Sequence, residues 1–239
     1  MKLAIFTDIF LIHDSLPFYS LSKEQEYIKV VPRLLKMKKE LLHKLYALHK
    51  DKIKRRLLEF NSLDERNYFH ELLFCLLTPQ SNAKKCWDAV EQLKRLDKLT
   101  SSRIIKILKT RTRFHNNKSS YILEAEKQWA SILPKLANND RKELRNWLAE
   151  NTKGMGYKEA GHFLRNIGKS DNQIAVLDRH ILRNLHDLGV ISQEDVMLKN
   201  KNHYFSIENK FLAFSHVVSI PIDELDLLFW SHETGEIFK

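Results

Sequence analysis

Residues 152–180, TKGMGYKEAGHFLRNIGKSDNQIAVLDRH, form the stretch that decides the fold of this 239-residue chain. Gly154 and Gly156 flank Met155 and separate two helical patterns, the second of which begins near Tyr157. Two helices can meet through so short a turn only where small residues permit an unusual backbone. The sequence therefore predicts a helix-hairpin-helix here.

The hairpin also carries two features of a chemical site. The backbone N–H groups around Met155 to Tyr157 should lie at the positive end of the following helix, and a concave row of such donors suits a phosphate. Lys158 falls in the first turn of that helix, where the helix dipole disfavours an ammonium charge. A lysine so placed is a candidate nucleophile. The alternative is an exposed helix lysine, one of many in this chain.

An aspartate follows the hairpin at the start of another predicted helix. Residues 174–177, IAVL, form a short apolar run, and Asp178 stands between this run and a helix predicted over residues 179–188. Aspartate often fills such a position only as an N-cap. Each short motif alone has a high false-positive rate, so the functional interpretation depends on the hairpin, Lys158 and Asp178 together.

The composition favours a basic, helical protein. Lys and Arg number 40 against 30 Asp and Glu, a formal net charge of +10, which favours a polyanionic partner without identifying it. Two cysteines are too few for a disulfide framework or a four-thiolate cluster, and both fall on apolar helix faces, where small buried hydrophobes are expected. The 11 histidines form no ligand-like cluster. We therefore expect no catalytic metal and no cofactor.

From residue 37 onward the apolar periodicity predicts an all-α chain. A basic helix comes first, and a capping box at Ser62 and Glu65 should open a buried helix that Pro79 stops. No strand-like alternation of useful length occurs. Further helices are predicted near residues 82–96, 103–109, 118–133, 141–150, 160–167, 179–188, 203–217 and 223–232.

The N-terminal residues, MKLAIFTDIFLIHD, are apolar enough to raise the question of a signal peptide. Asp8 interrupts the run and no small-residue cleavage site follows, so a leader is not expected. Nothing else approaches the length of a membrane-spanning helix. We interpret residues 1–36 as an N-terminal extension of unknown role on a cytoplasmic protein.

Several separated blocks of the sequence resemble one family. The blocks are LLTPQSNAKKCW (76–87), RFHNNKSSYI (113–122), GMGYKEAGHFLRNIG (154–168), AVLDRHIL (175–182), ELDLLFW (224–230) and the closing TGEIFK. They resemble the type 2 8-oxoguanine DNA glycosylase/AP lyases of the helix-hairpin-helix DNA glycosylase superfamily, over roughly residues 37–239. The iron–sulfur branch of that superfamily is excluded because it uses four cysteines.

The resemblance implies an all-α, two-lobed helix-hairpin-helix DNA glycosylase fold with the active site in the cleft between the lobes. Lobe one would span about residues 66–150, and lobe two residues 37–65 together with 157–239, with the hairpin at 152–157. The implied substrate is double-stranded DNA containing 8-oxoguanine. A nucleoid-associated monomer with no membrane partner is expected.

The resemblance also implies a mechanism and its residues. Lys158 would attack C1′ of the flipped nucleotide, and the Asp178 carboxylate would stabilise the oxocarbenium-like transition state. The resulting Schiff base would permit strand cleavage by β-elimination. The hairpin residues expected to bind the DNA backbone are Gly154, Met155, Gly156 and Tyr157.

Two loops are expected to face DNA. By the resemblance, Gln80 is the candidate wedge that fills the gap left by the extruded base, the alternative being a loop in which Ser81 caps the next helix. His115, Asn117 and Lys118 belong to a segment that could contact unstacked nucleotides. The alternative for that segment is a basic connector with an Asn cap.

The end of the chain is the candidate site of base recognition. The N7 of 8-oxoguanine is a hydrogen-bond donor where guanine has an acceptor, so a discriminating site needs an acceptor aimed at it. In the family that this chain resembles, the C-terminal lysine lies in the base pocket, and the resemblance therefore implies the main-chain carboxylate of Lys239 as the acceptor. Trp230 is the expected stacking face. The alternatives are a frayed terminus and a core tryptophan.

Two other functions stay open at this level. The hairpin, lysine and aspartate also occur in lyases that act on oxidised pyrimidines. A helix-hairpin-helix module that only binds the DNA backbone would need neither Lys158 nor Asp178. Borohydride trapping of a Schiff base separates that module from an enzyme.

Overall fold

The computed structural model describes the backbone of residues 21–239 and the side chains of residues 38–239. The proposed N-terminal extension, residues 1–36, lies outside these residues except for a helical backbone from residue 21. The chain divides into two compact units at Leu45 and Tyr46. The first unit contributes a helical segment up to residue 45, and all the features below belong to the second unit, residues 46–239.

Regular structure in residues 21–239 is entirely helical, which confirms the all-α prediction. Short 3-10 turns lie at Glu65–Asn67, Leu133–Ala137 and Gln193–Val196. The α-helices of this part of the chain are α1 (Leu21–Asn61), α2 (Tyr68–Leu77), α3 (Ala83–Leu93), α4 (Ser101–Leu108), α5 (His115–Ile132), α6 (Arg141–Asn151), α7 (Tyr157–Asn166), α8 (Arg179–Asp187), α9 (Lys201–Val218) and α10 (Ile222–Thr234).

Side-chain caps set several of the helix starts. Asn82 begins α3, where its carboxamide oxygen accepts the N–H of Lys85 at 3.1 Å. The capping box predicted from Ser62 is wrong, because α1 continues to the residue before it. The Asp64 carboxylate instead accepts the N–H of Arg66 at 2.9 Å and caps the 3-10 turn that precedes α2.

The helix α2 lies at the centre of the core. Residues 71–77 are all buried, and α2 packs against α3, α5 and α7. Cys75 on α2 and Cys86 on α3 are both fully buried free thiols, as expected for small hydrophobes. The turn that follows, residues 78–82, therefore starts from the buried end of α2. Among the described residues no helix is long and apolar enough to cross a membrane.

Candidate active site

A cavity of about 750 Å³ within residues 46–239 brings together most of the side chains singled out in the sequence. It is lined by the turn between α2 and α3, one face of α7, the segment that leads into α8, the helix α10 and the C-terminus. The sequence-predicted residues on its wall are Lys158, Asp178, Gln80, Trp230 and Lys239.

Lys158 lies in the first turn of α7, and its side chain is one-quarter exposed. Its amine is 2.8 Å from one carboxylate oxygen of Glu159. The other oxygen of Glu159 accepts the N–H of Gly156 at 3.2 Å, and the N–H of Met155 donates to the Thr152 carbonyl at 3.1 Å. The expected row of open phosphate donors therefore needs correction, because two of its N–H groups are already bonded inside the hairpin.

The two glycines of the hairpin differ in how strictly the structure requires glycine at their positions. Gly154 has φ +84°, and a Cβ at this position would lie 2.3 Å from the ring of Tyr121. Gly156 has an ordinary φ of −100°, and a Cβ there would meet only the end of the Glu159 side chain at 2.9 Å. Only Gly154 is therefore demanded by both the backbone conformation and the packing of the hairpin.

The side chains of the other two hairpin residues point into the protein. Met155 is only 5% exposed. The ring of Tyr157 packs 5.8 Å from that of Tyr204 and 5.2 Å from that of Phe205, both on α9. Any contact of these two residues with a ligand would therefore come mainly from their backbone.

Asp178 is the N-cap of α8. One of its carboxylate oxygens accepts the N–H of His180 at 2.7 Å and that of Ile181 at 2.9 Å. The interpretation as an N-cap is therefore correct. Asp178 also lines the cavity, so the cap places a carboxylate on the cavity wall.

One face of α7 supplies two cavity residues that the sequence analysis missed, His162 and Arg165. They follow Lys158 at i+4 and i+7, a spacing that places all three on one side of a helix and that could have revealed them. His162 is buried, and burial with the nearby charge of Arg165 holds its pKa well below the usual range. Its imidazole is therefore neutral near pH 7.

A chain of buried polar contacts joins α7 to its neighbours. The Arg165 guanidinium pairs with Asp226 on α10, which also lines the cavity, and donates to the side-chain oxygen of Asn166 at 3.2 Å. The Asn166 amide in turn donates to Glu71 on α2 at 3.1 Å. The cavity wall is thus fixed to the central helix by hydrogen bonds as well as by packing.

The C-terminus is docked, so the interpretation as a frayed end is wrong. The Lys239 ammonium pairs with Glu71 and lies 3.5 Å from the centroid of the Trp87 ring. Its side chain is 11% exposed, and burial lowers the pKa of the amine while Glu71 opposes this shift. The preceding Phe238 packs edge-on against Phe74, with 6.2 Å between ring centroids.

Trp230 lies on the cavity wall as a partly buried side chain. Its ring centroid is 6.5 Å from that of Phe238, with an angle of 30° between the ring planes. The tryptophan is therefore anchored on one side by the docked tail while part of it borders the cavity.

Gln80 is exposed at the tip of the turn after α2, where it has φ +54°. The prediction that Lys118 contacts DNA needs correction, because Lys118 is only 3% exposed. Its amine donates to the carbonyls of Leu77 and Pro79 at 2.7 and 2.8 Å and to the hydroxyl of Ser81 at 2.9 Å. Lys118 therefore supports the turn that carries Gln80.

The remaining residues of the second predicted DNA-facing loop stay accessible. Asn117 is exposed and His115 is partly exposed at the start of α5. Arg113 lines the cavity and Phe114 is 51% exposed, with φ +57°. In the described part of the chain, no group of three His, Cys, Asp or Glu side chains is arranged to hold a metal ion.

The arrangement defines a class of protein. An all-α fold in which a glycine hairpin presents a lysine, and a helix start presents an aspartate to the same cavity, is typical of the helix-hairpin-helix DNA glycosylases.

Comparison with known proteins identifies the family. The profile of the family described as 8-oxoguanine DNA glycosylase matches residues 53–220. The 8-oxoguanine DNA glycosylase/AP lyase of Fusobacterium nucleatum is 40% identical over 215 residues, 83% of this chain and 96% of the relative. The chain belongs to the 8-oxoguanine DNA glycosylase family, as its sequence blocks indicated.

Solved structures agree with this assignment. The 8-oxoguanine DNA glycosylase of Thermotoga maritima has a TM-score of 0.77 at 26% identity, covering 86% of this chain and 100% of that one. The Methanocaldococcus jannaschii 8-oxoguanine glycosylase/lyase, in complex with a 15mer DNA containing 8-oxoguanine, has a TM-score of 0.71 at 31% identity, covering 84% and 100%.

Proposed function

We propose that this protein excises 8-oxoguanine from double-stranded DNA and then cleaves the strand at the abasic site. The observation that carries the proposal is that Lys158 and Asp178 line one cavity in a chain whose relatives are named for these two activities. The cavity of about 750 Å³ is within the range of pockets that enclose a small molecule. It is therefore large enough for a flipped base.

The first step is extrusion of the damaged nucleotide, at a cost of a few kcal/mol. The exposed Gly154 and Gly156 allow the DNA backbone to approach the hairpin, and the first N–H groups of α7, including that of Tyr157, have no partner within the helix. Phosphate would bind there rather than at the N–H groups of Met155 and Gly156, which are already bonded. Gln80, exposed on its turn, would occupy the gap in the duplex.

The second step is replacement of the base by an amine. The Lys158 amine leaves its pair with Glu159 and attacks C1′ with its lone pair as the glycosidic bond breaks. The departing base takes the electron pair of that bond, and the proton lost from the lysine nitrogen passes to the base by way of the Asp178 carboxylate. Asp178 stabilises the positive charge that develops on the sugar. Its two backbone hydrogen bonds keep the carboxylate oriented while it does so.

The third step cleaves the strand. The sugar ring first opens: the C1′–O4′ bond breaks, O4′ takes a proton, and the bond between Lys158 and C1′ becomes a Schiff base, which acidifies the proton on C2′. Loss of that proton forms a double bond between C2′ and C3′ and expels the 3′ phosphate, which breaks the strand. Hydrolysis of the imine then restores the lysine.

Base recognition is assigned to the docked tail. The main-chain carboxylate of Lys239 would accept the N7 hydrogen of 8-oxoguanine, and Trp230 would stack on the base. Both residues line the cavity, and the Lys239 side chain is held by Glu71 and Trp87. Guanine would leave this acceptor unpaired, at about 1–3 kcal/mol.

The proposal includes a two-lobed organisation of the chain, and it describes a monomeric, cytoplasmic enzyme that associates with the nucleoid. Its support is that the cavity is lined both by residues of the predicted first lobe, such as Gln80 and Arg113, and by residues of the second, such as Lys158 and Trp230. All of them come from one chain, so a second copy is not needed to complete the site.

A panel of defined duplexes tests the function. We expect base release and a borohydride-trapped complex with 8-oxoguanine, trapping with a preformed abasic site, and no release of guanine. Preferential release of thymine glycol would instead indicate a lyase for oxidised pyrimidines. Binding of every duplex without release or trapping would indicate a DNA-binding module.

A further inference from the structure

We propose that Lys118 is a positioning residue that holds the Gln80 turn in the shape required to replace an extruded base. The inference rests on the proposed function, because it assigns a role to Lys118 in the flipping step. Lys118 would act through the turn and not by touching DNA.

The first observation is the complete use of the Lys118 amine. An ammonium group has three N–H donors, and those of Lys118 meet the carbonyls of Leu77 and Pro79 and the hydroxyl of Ser81, all within 2.9 Å. A neutral amine has only two N–H groups, so the full set requires the charged form. With 3% of the residue exposed, this charge is unavailable to a phosphate.

The second observation is the conformation that these bonds enclose. Gln80 has φ +54°, a region that residues other than glycine seldom adopt unless their surroundings enforce it. The residues on either side of Gln80, Pro79 and Ser81, are both bonded to Lys118. The N–H of Ser81 also closes the turn onto the Thr78 carbonyl at 3.0 Å. These hydrogen bonds therefore hold the peptide groups on both sides of Gln80, and the orientation of those groups sets the direction of its side chain.

The third observation links this turn to the second predicted DNA-facing loop. The Ser81 hydroxyl accepts the N–H of Arg113 at 3.0 Å as well as the Lys118 amine. Arg113 precedes α5, on which Lys118 lies, and both Arg113 and Gln80 line the cavity. Residues 78–82 and 113–118 therefore form one hydrogen-bonded unit, and Lys118 is the side chain at its centre.

A substitution on α5 provides the test. Lys118→Met keeps most of the apolar stem and removes all three donors, while Lys127→Met changes an exposed lysine of the same helix and serves as the control. Single-turnover release is measured for 8-oxoguanine opposite cytosine and for 8-oxoguanine in a bulge with no opposite base. We expect Lys118→Met to slow release from the paired substrate by about tenfold or more. Release from the bulged substrate should stay nearly at the wild-type rate. Lys127→Met should match the wild type on both.

A double-mutant cycle tests whether Lys118 acts through Gln80. If it does, adding Lys118→Met to Gln80→Ala should slow release from the paired substrate little further. Ser81→Ala, which removes one acceptor and keeps the charge, should show the same preference for the bulge, and it carries the test if Lys118→Met unfolds. The proposal would be overturned if the two substitutions slowed release independently, so that their rate factors multiplied. It would also be overturned if Lys118→Met slowed release equally from the paired and the bulged substrates. Wild-type protein that releases 8-oxoguanine from neither substrate would overturn the proposed function and this inference with it.

Discussion

At the scale of single residues, Asp178 caps a helix, and we propose that it also has a chemical task. Its carboxylate caps α8 through the N–H groups of His180 and Ile181, and Asp178 lines the same cavity as Lys158. The cap needs only an oxygen acceptor, whereas stabilising a cationic transition state needs a negative charge. The two tasks can therefore be separated by substitution.

We predict that Asp178→Asn slows base release strongly and leaves the fold intact, because asparagine is as good an N-cap as aspartate. Asp178→Ala should also lower the free energy of unfolding by about 1 kcal/mol through loss of the cap. Base-release kinetics and urea unfolding measure the two effects.

The control is Asp140, which caps α6 and accepts the N–H of Glu143 at 2.8 Å. Asp140→Ala should lower stability by a similar amount without changing base release at a temperature where both proteins are folded. If Asp178→Asn released the base at the wild-type rate, Asp178 would act only as a helix cap.

At the scale of elements, the hairpin between α6 and α7 depends on one glycine more than the other. We predict that Gly154→Ala lowers the free energy of unfolding by more than about 1 kcal/mol, because φ is positive and the ring of Tyr121 occupies the space of a Cβ. Gly156→Ala should stay within about 1 kcal/mol of the wild type, since its φ is ordinary and only a flexible side-chain end must move.

Thermal and urea unfolding of these two variants provide the measurement. Gly156→Ala should nevertheless weaken DNA binding if the backbone approaches the hairpin closely there. Equal loss of stability in both variants would contradict the packing argument.

The C-terminal segment is the second element to which we assign a task, the recognition of the damaged base. We predict that deletion of Lys239 lowers 8-oxoguanine excision by roughly ten- to a hundredfold, because the acceptor for N7 is lost or displaced. Trapping at a preformed abasic site should survive, since it needs only Lys158 and the sugar.

Two variants test the role of the main-chain carboxylate separately from that of the ion pair that anchors the tail. Lys239→Ala keeps the carboxylate and removes the ammonium, and Glu71→Gln removes the charge that holds it. Both should reduce excision less than the deletion does. Equal rates of 8-oxoguanine excision with and without Lys239 would exclude the tail from base recognition.

At the scale of the whole molecule, buried charges fix the helices that carry the site. Arg145 on α6 forms two hydrogen bonds with Glu208 on α9, at 2.8 and 3.0 Å, and both side chains are at most 2% exposed. Glu208 also accepts the N–H of Ala175, three residues before Asp178, at 2.8 Å. The helix that enters the hairpin and the segment that leads to Asp178 are thus tied to the same carboxylate.

The sequence predicted the local features of this molecule better than the contacts between residues far apart in the chain. Apolar periodicity located the helices to within a few residues, because that signal is contained in short windows. The alternative in which Ser81 caps the next helix is wrong, because the cap of α3 is Asn82. Lys158 and Asp178 were identified from a motif, and the structure places both on one cavity.

Contacts between distant parts of the chain could not be predicted in this way. Lys118 was expected to face DNA because its neighbours are polar, yet its carbonyl partner Leu77 lies 41 positions earlier. The pair of Glu71 and Lys239 joins residues 168 positions apart. Only the packing of the helices determines such partners.

The central claim is that Lys158 forms the covalent bond with the sugar, and borohydride trapping on an 8-oxoguanine duplex tests it most directly. Wild type, Lys158→Gln and Lys153→Gln are compared, Lys153 being an exposed lysine of the same hairpin. DNA binding is measured in parallel, and the trapped wild-type complex is digested to map the modified residue. We predict trapping by the wild type and Lys153→Gln, none by Lys158→Gln despite retained binding, and a sugar adduct on Lys158. Trapping by Lys158→Gln, or an adduct on another lysine, would contradict the account.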